Sequence, residues 1–416
     1  MACFASGTPV VAQGLGSTSA PAFTTSELLQ FGQQTDAHGI RVGSFMVFPS
    51  ASMGLGYDNN VFASSKDTRG SLTYKADATV NAVSNWSRHA LQMYVNGSGN
   101  FQDDFSSENS GALRTGASGQ LDVYRDLYVR AFVDFAMAPE DRGTGESFAD
   151  FNRMINTTTV KYGGYVHKGF NRGWTELGAS ASHQDYDDAS LSAAGGQPAV
   201  VVDQGFRDGS RSEVFGRVGY ELSSLTSVFV ETSYNEHDYT GTLFDSDGYK
   251  VMGGLRYQFS ALTQGDFAVG YMHQNLGAYT TQSALDTYTY RGTLSYALTP
   301  LITLRLIAAR DFGGPSHFAG ASTRVNSDVG ITADYAIRRD LTLSAGYGYN
   351  LTDYIGTGRT DNRHKLSLGA QYYLNRYASL FAKYDHTHFD AGRVLPDEVS
   401  TDYAKNVVLA GIRLRY

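Results

Sequence analysis

The chain alternates apolar and polar residues with a period of two over many separate segments. In 341–351, every odd position is leucine, alanine or tyrosine, and every even position is threonine, serine, glycine or asparagine. Segments 127–135, 366–374 and 378–385 follow the same alternation. Because successive side chains of a β-strand point to opposite faces, this period predicts strands with one apolar face. The hydrophobic pattern therefore predicts an all-β chain.

Short connectors separate the predicted strands at intervals of roughly 40 residues, a spacing at which internal repeats have to be considered. They centre near Asn85, Arg125, Phe170, Ser224, Leu262, Thr299, Arg339 and Asn375. Longer polar segments, such as 138–152 and 188–208, lie between them. This order predicts an up-and-down antiparallel meander with short turns at one edge and long loops at the other. Counting from about Val47 to Tyr416 gives eighteen strands, or sixteen if the flanks of 188–208 lie outside the sheet.

A β-propeller blade also repeats at this period, but it needs four strands of about five residues and three turns. Here each period holds two strands of about 12–15 residues, the length that a tilted strand needs to cross a membrane. Eighteen strands in a closed sheet enclose a lumen too wide to fill with side chains. The apolar face is therefore predicted to meet lipid and the polar face an aqueous lumen, as in a transmembrane up-and-down antiparallel β-barrel.

Composition supports this fold class and excludes several others. The chain has 46 Gly, 28 Tyr and 23 Phe but only 8 Pro, and it contains no apolar run of eighteen residues that could form a membrane helix. Its net charge of −8 argues against nucleic acid as a partner. The single cysteine, Cys3, excludes an intramolecular disulfide and a cysteine-based zinc site, and we expect no cofactor.

The two ends differ from the rest of the chain. Residues 1–38 are interpreted as a signal-peptide remnant with a periplasmic linker, because Val10 and Ala12 suit a cleavage site but no basic region precedes them. Residues 39–416 are predicted to form the barrel. The last residues resemble the C-terminal strand that barrel-insertion machinery reads in bacterial outer-membrane proteins. This predicted insertion signal comprises Ile412, Leu414 and Tyr416.

Segments 40–50, 56–63 and 85–89 resemble the opening strands and the first turn of the second putative beta-barrel porin family. The resemblance implies a Gram-negative outer-membrane porin whose partners are outer-membrane lipid, the insertion machinery, and polysaccharide or periplasmic export components. Export of an extracellular polysaccharide is the implied role. A general diffusion porin for small hydrophilic solutes is the first alternative, and a structural or adhesin barrel without transport is the second.

The alternation also predicts which charged residues line the lumen. The basic set is Lys75, Arg114, Arg130, Lys161, Arg217, Arg256, Arg291, Arg305, Lys365, Lys383, Lys405 and Arg413. The acidic set is Asp77, Asp122, Asp134, Glu176, Glu213, Glu221, Glu231, Asp311, Asp328, Asp334 and Asp385. Twelve against eleven is close to neutral, whereas a selective ion pore presents one sign of charge. A mixed wall suits neutral hydrophilic solutes, including sugars.

Three further features bear on function. Inward aromatic residues are interpreted either as a track for stacking sugars or as bracing: Tyr94, Tyr128, Phe132, Tyr165, Phe215, Phe229, Tyr373 and Phe381. The loop 188–208 has an apolar centre and is predicted to fold inward as a constriction. His386 and His388 share one strand face but lack further metal ligands at usable spacing, so no catalytic residue and no enzyme activity are predicted.

Overall fold

The computed structural model covers most of the predicted barrel. It describes residues 39–143, 152–191, 200–258, 260, 263–278, 282–315, 321, 323–392 and 402–416. The predicted signal-peptide remnant and linker, residues 1–38, lie outside these ranges, and so does 192–199 within the long loop.

Eighteen long strands form the wall of the barrel. They are β2 (Phe45–Asp58), β3 (Ser71–Ser84), β4 (Ala90–Gln102), β5 (Ser110–Tyr124), β6 (Leu127–Pro139), β7 (Asn156–Phe170), β8 (Gly173–Tyr186), β11 (Gly209–Ser223), β12 (Thr226–Tyr239), β13 (Ser246–Gln258), β14 (Gln264–Asn275), β15 (Ala284–Thr299), β16 (Ile302–Gly313), β17 (Arg324–Arg338), β18 (Leu341–Tyr354), β19 (Arg359–Tyr373), β20 (Ala378–Asp390) and β21 (Tyr403–Arg415). The short strands are β1 (Ile40–Val42), β9 (Ala189–Leu191) and β10 (Val200–Val202). Single 3-10 turns span Ser106–Glu108, Gly205–Arg207 and Thr242–Phe244.

Each wall strand pairs antiparallel with its sequence neighbours, and the first pairs with the last. The seam between β2 and β21 runs from Ser50 opposite Arg415 to Asp58 opposite Val407. A Cβ atom on Gly411 would lie 2.1 Å from the Met53 carbonyl oxygen across this seam, so glycine is required there. The sheet is thus closed, and the predicted up-and-down barrel is confirmed.

The count of eighteen strands is also confirmed. β8 pairs directly with β11 over Gly173–Gln184 and Gly209–Tyr220, so both flanks of the loop 188–208 belong to the wall. The loop itself forms a small β9–β10 hairpin that stays outside the closed sheet. The alternative of sixteen strands is therefore excluded.

Side-chain exposure alternates along the wall in the opposite sense to a water-soluble protein. On β8, Leu177 is 68% exposed whereas its neighbour Glu176 is 4% exposed, and on β14 the values for Val269 and Ala268 are 67% and 3%. Large apolar side chains occupy the outer face of most wall strands, where only a lipid environment would cover them. Among the described residues, no helix has the length and apolar character that crossing a membrane requires.

Candidate functional site in the barrel interior

The inner face of the wall is identified by side chains that meet across strands that are not neighbours. Arg291 on β15 donates to Glu231 on β12 at 3.0 Å, and Lys250 on β13 lies 3.0 Å from Asp311 on β16. Such contacts are possible only on the concave side of a curved sheet. Together with the alternation along each strand, they assign every wall residue to one face.

One side of the interior, the inner face of β8 and β11–β16, is called the paired wall. At its centre the guanidinium of Arg217 lies between Glu176, at 3.1 Å, and Glu231, at 2.6 Å from Nε. All three side chains are less than 10% exposed. Buried ions repay their desolvation only when several partners satisfy them, and the network of Arg217 does so.

A second network on the paired wall joins strands that are still further apart. Asp311 on β16 accepts hydrogen bonds from Lys250 on β13 at 3.0 Å and from Arg211 on β11 at 3.2 Å. Lys250 also lies 3.8 Å from Glu213 on β11. The paired wall therefore curves tightly enough for its own side chains to fill the space in front of it.

Apolar side chains pack beneath these charges. Trp174 on β8, Phe229 on β12, Met252 on β13 and Ala268 on β14 form a buried cluster on the paired wall. The guanidinium of Arg256 lies over the Trp174 ring, 4.8 Å from its centroid. Packing of this kind leaves these side chains no contact with a passing solute.

Three of the eight inward aromatic residues are buried, and the other five are half-buried. Phe215, Phe229 and Phe381 are all at most 7% exposed. Arg217 covers Phe229 at 4.9 Å, and the Tyr128 ring stacks on His167 at 4.5 Å. These contacts favour bracing over a sugar-stacking track.

The opposite side of the interior, the inner face of β19, β20, β21, β2 and β3, is called the basic wall. Its basic residues are Lys75, Arg359, Arg363, Lys365, Lys383, Lys405, Arg413 and Arg415, and its acidic residues are Asp58, Asp77, Asp361 and Asp385. Lys405 pairs with Asp58 at 2.8 Å and Arg359 with Asp361 at 2.8 Å. Lys75, Lys365 and Lys383 form no ion pair with any described residue and are partly exposed. This wall therefore carries an excess of four positive charges.

The remaining inner face, from β4 to β18, is balanced. Its basic residues are Arg114, Arg130, Lys161, Arg211, Arg217, Lys250, Arg256, Arg291, Arg305 and Arg324. Its acidic residues are Asp122, Asp134, Glu176, Glu213, Glu221, Glu231, Asp266, Asp311, Asp328 and Asp334. The described inner face thus holds eighteen basic and fourteen acidic residues. Twelve basic against eleven acidic residues were predicted for the lumen, and that prediction stays open. On the described inner face the excess of four positive charges lies on the basic wall.

Other predicted lumen residues make local contacts. Arg114 pairs with Asp134 at 3.2 Å, and Arg130 donates to Gln120 at 2.8 Å. Asp122 accepts from the backbone of His89 at 3.0 Å, and Arg305 pairs with Asp334. Glu221 lines a recess of about 340 Å³ at the short-turn end.

Several interior residues escaped the sequence analysis. Lys250, Asp266 and Arg211 lie on the inner face, as the alternation of Tyr249, Lys250 and Val251 could have indicated. No signal in the sequence could have revealed that Arg211 meets Asp311, because a period of two gives the face of a residue but not its partner across the lumen.

The loop end is partly covered by the segment after β6. Arg142 forms an ion pair of 2.5 Å with Glu108, both side chains being 2% exposed, and its carbonyl accepts a hydrogen bond of 3.4 Å from the Tyr403 hydroxyl on β21. Gly143 has a φ of +74°, and a Cβ atom there would lie 2.3 Å from the Tyr403 ring. The segment reaches across the mouth to the far side of the β2–β21 seam.

The loop 188–208, predicted to be a constriction, packs against Ile155, which precedes β7. Ala189, Leu191 and Val202 contact Ile155, while Val200 and Val201 remain 56% and 66% exposed. These contacts lie at the rim, and its folding inward stays a prediction.

The histidine pair considered for metal binding lies on the outer face. His386 Nδ1 lies 2.8 Å from the Asn406 side chain, and His388 stacks with His364 at 6.4 Å. Within the described residues, no three histidine, cysteine or acidic side chains are grouped so that they could hold a metal ion.

The predicted insertion signal lies on the outer face of β21. Ile412, Leu414 and Tyr416 are 41%, 53% and 49% exposed. The Tyr416 ring stacks on Tyr377 at 5.5 Å, and its backbone N–H donates to the Pro49 carbonyl at 3.2 Å. Its role in membrane insertion stays a prediction.

Comparison with known proteins places the chain in a family. The family model described as putative beta-barrel porin 2 matches residues 33–416. No curated protein matches the sequence. Among solved structures, the siderophore receptor PiuA from Acinetobacter baumannii matches with a TM-score of 0.48 at 8% identity, over 91% of this chain and 82% of that one. A mutant of the ferric enterobactin receptor PfeA from Pseudomonas aeruginosa gives 0.44 at 10%, over 89% and 80%.

Proposed function

Because the chain belongs to the putative beta-barrel porin 2 family, we propose that it forms a passive hydrophilic channel across the outer membrane of a Gram-negative bacterium. The observation that carries this proposal is the inverted wall: apolar side chains outside and thirty-two charged side chains inside a closed sheet of eighteen strands. Barrels of this size leave an aqueous passage. The family points to transport rather than to catalysis.

Export of an extracellular polysaccharide is the favoured specialisation. The sequence resemblance implies it, and the unpaired lysines of the basic wall support a polar, hydrated path on that side of the lumen. In this proposal the outer face binds outer-membrane lipid, β21 presents the insertion signal to the assembly machinery, and the short-turn end receives polysaccharide or periplasmic export components.

General diffusion of small hydrophilic solutes is the second candidate. The observation that favours it is the covering of Phe215, Phe229 and Phe381, because a saccharide path built on stacking needs exposed rings. A channel without such rings would discriminate by size and charge alone.

Two experiments test the proposal. Liposomes containing the purified chain should swell in neutral sugars of graded size, and absence of swelling would favour a structural or adhesin barrel instead. A deletion strain should lose the protein from its outer-membrane fraction and release less exopolysaccharide. Swelling with an unchanged exopolysaccharide yield would contradict export and leave the general porin.

A further inference from the structure

We propose, resting on the channel function above, that the passage conducts anions in preference to cations and that its cargo is an acidic saccharide polymer. The polymer would bear carboxylate, sulfate or phosphate groups and would move along the basic wall. Three features of the interior support this proposal: the position of the excess positive charge, its continuity along the passage, and the contrast with the paired wall.

The excess of positive charge lies on the basic wall. Lys75, Lys365 and Lys383 make no ion pair with a described residue, and the carboxylates nearest them are engaged by serine hydroxyls. Asp77 accepts from Ser52 at 3.1 Å, and Asp385 accepts from Ser367 at 2.8 Å. Lys75, Lys365, Lys383 and Lys405 lie close enough for their charges to interact, and Asp385 acts on both Lys75 and Lys383. The four amines of this group outnumber its three carboxylates, Asp58, Asp77 and Asp385.

The basic side chains also extend over the height of the barrel. Lys365, Thr387 and Lys405 lie in one row of paired residues near the loop end. Lys383 follows four residues further down β20, at mid-height, and Arg413 and Arg415 continue to the short-turn end of β21. A polyanion entering at one mouth would therefore meet a positive charge at each successive level.

The paired wall offers no comparable attraction. Arg217, Arg291 and Lys250 each contact acidic side chains at 3.0 Å or less, so their charges are neutralised locally. Their packing also fills that side of the lumen, which displaces the aqueous path toward the basic wall. Because charges are screened over about 8 Å at physiological salt, a solute confined beside the basic wall would sense its lysines.

The positive excess on the inner face is opposite in sign to the charge of the rest of the protein. The described residues carry 32 basic and 35 acidic side chains, a net charge of −3, whereas their inner face carries an excess of four positive charges. Acidic residues are therefore placed preferentially outside the lumen. Cation-lined passages are the general device for conducting anions.

The test measures ion selectivity of the purified full chain in planar bilayers under a KCl gradient. For the natural protein, the reversal potential should lie between zero and the equilibrium potential of chloride. For K75Q/K383Q, it should shift toward zero. The charge-preserving K75R/K383R should restore the natural value. The control K66Q/K168Q removes two lysines that are not on the inner face and should leave the reversal potential unchanged.

Polymer block identifies the cargo class. Carboxymethyl-dextran and dextran sulfate should block the current at lower concentration than neutral dextran of the same length, and the stronger of the two identifies the preferred acidic group. Current without anion preference, or equal block by all three dextrans, would overturn the anionic cargo and leave the channel intact. Absence of any current would overturn the channel itself. Since the natural protein alone decides these outcomes, a variant that fails to fold does not weaken the test.

Discussion

Arg211 on β11 and Asp311 on β16 form an ion pair of 3.2 Å although four wall strands separate them. Lys250 reaches the same carboxylate from β13, so one acidic side chain ties together three strands of the paired wall. A circular barrel of eighteen strands would hold these positions far apart. The wall is therefore strongly curved here, and the interior is asymmetric: ion pairs fill the paired wall, whereas Lys75, Lys365 and Lys383 on the basic wall stay partly exposed.

Removing the central guanidinium of the paired wall should destabilise the barrel. In Arg217→Met, Glu176 and Glu231 lose a shared partner in a buried site, and breaking such a pair costs about 3–5 kcal/mol. The measurement is urea unfolding of the refolded protein in detergent micelles, followed by the heat-modified shift in gel mobility.

Arg114→Met provides the matched control. Arg114 makes a single pair with Asp134 and its side chain is 57% exposed. Exposed pairs contribute at most about 1 kcal/mol, so this variant should unfold close to the natural midpoint. Equal losses in the two variants would show that the Arg217 network does not brace the wall.

The sequence was sufficient to predict the strands, but not how strongly the paired wall curves. The period of two, as in 341–351, gave the face of each residue, and the short connectors gave the strand number. It could not predict the meeting of Arg211 with Asp311, because that contact depends on how the closed sheet bends as a whole. For the same reason the neutral and basic sides of the lumen could not be distinguished from a count of charges.

A charge placed on the outer face should be tolerated far less than one on the inner face of the same strand. Val95 lies at mid-strand on β4 and is 48% exposed toward the membrane side, so Val95→Arg should cost about 2–4 kcal/mol. Ser98→Arg, on the inner face opposite Asp77, should remain near the natural stability. Reversible folding into lipid vesicles measures the free energy of unfolding of both variants. Similar free energies for the two variants would contradict the assignment of faces.

The aromatic residue that ends β21's outer face should be needed for efficient assembly. Tyr416→Ser removes the ring that stacks on Tyr377, and we expect less folded protein in the outer-membrane fraction. Tyr416→Phe keeps the ring and should assemble normally. Fractionation with quantitative immunoblotting checks this, and normal assembly of the serine variant would refute the insertion signal.

Loosening the segment over the mouth should widen the channel entrance. Glu108→Gln leaves the buried Arg142 guanidinium without its carboxylate, so the segment that crosses to Tyr403 should detach more readily. The expected result is a higher single-channel conductance together with faster proteolysis of the loop after β6. Glu140→Gln is the control, because Glu140 pairs with Arg207 at the rim and the substitution changes the charge by the same amount. Identical conductance in the natural protein and Glu108→Gln would exclude a gating role for this contact.

Deleting 190–206 tests whether the long loop restricts the passage. If its apolar centre folds inward, the deletion should raise single-channel conductance in planar bilayers. Replacing Val200 and Val201 with serine keeps the length of the loop and separates its chemistry from its bulk. An unchanged conductance after the deletion would count against a constriction.

The seam between β2 and β21 has a consequence for how the barrel assembles. Ser50 finds its partner in Arg415, so the cylinder cannot be completed while any later part of the polypeptide is still being delivered. Until the barrel closes, the two edge strands expose unpaired backbone N–H and C=O groups, which can pair with other chains. Losing β21 would therefore leave β2 without its closing partner as well as removing the last strand.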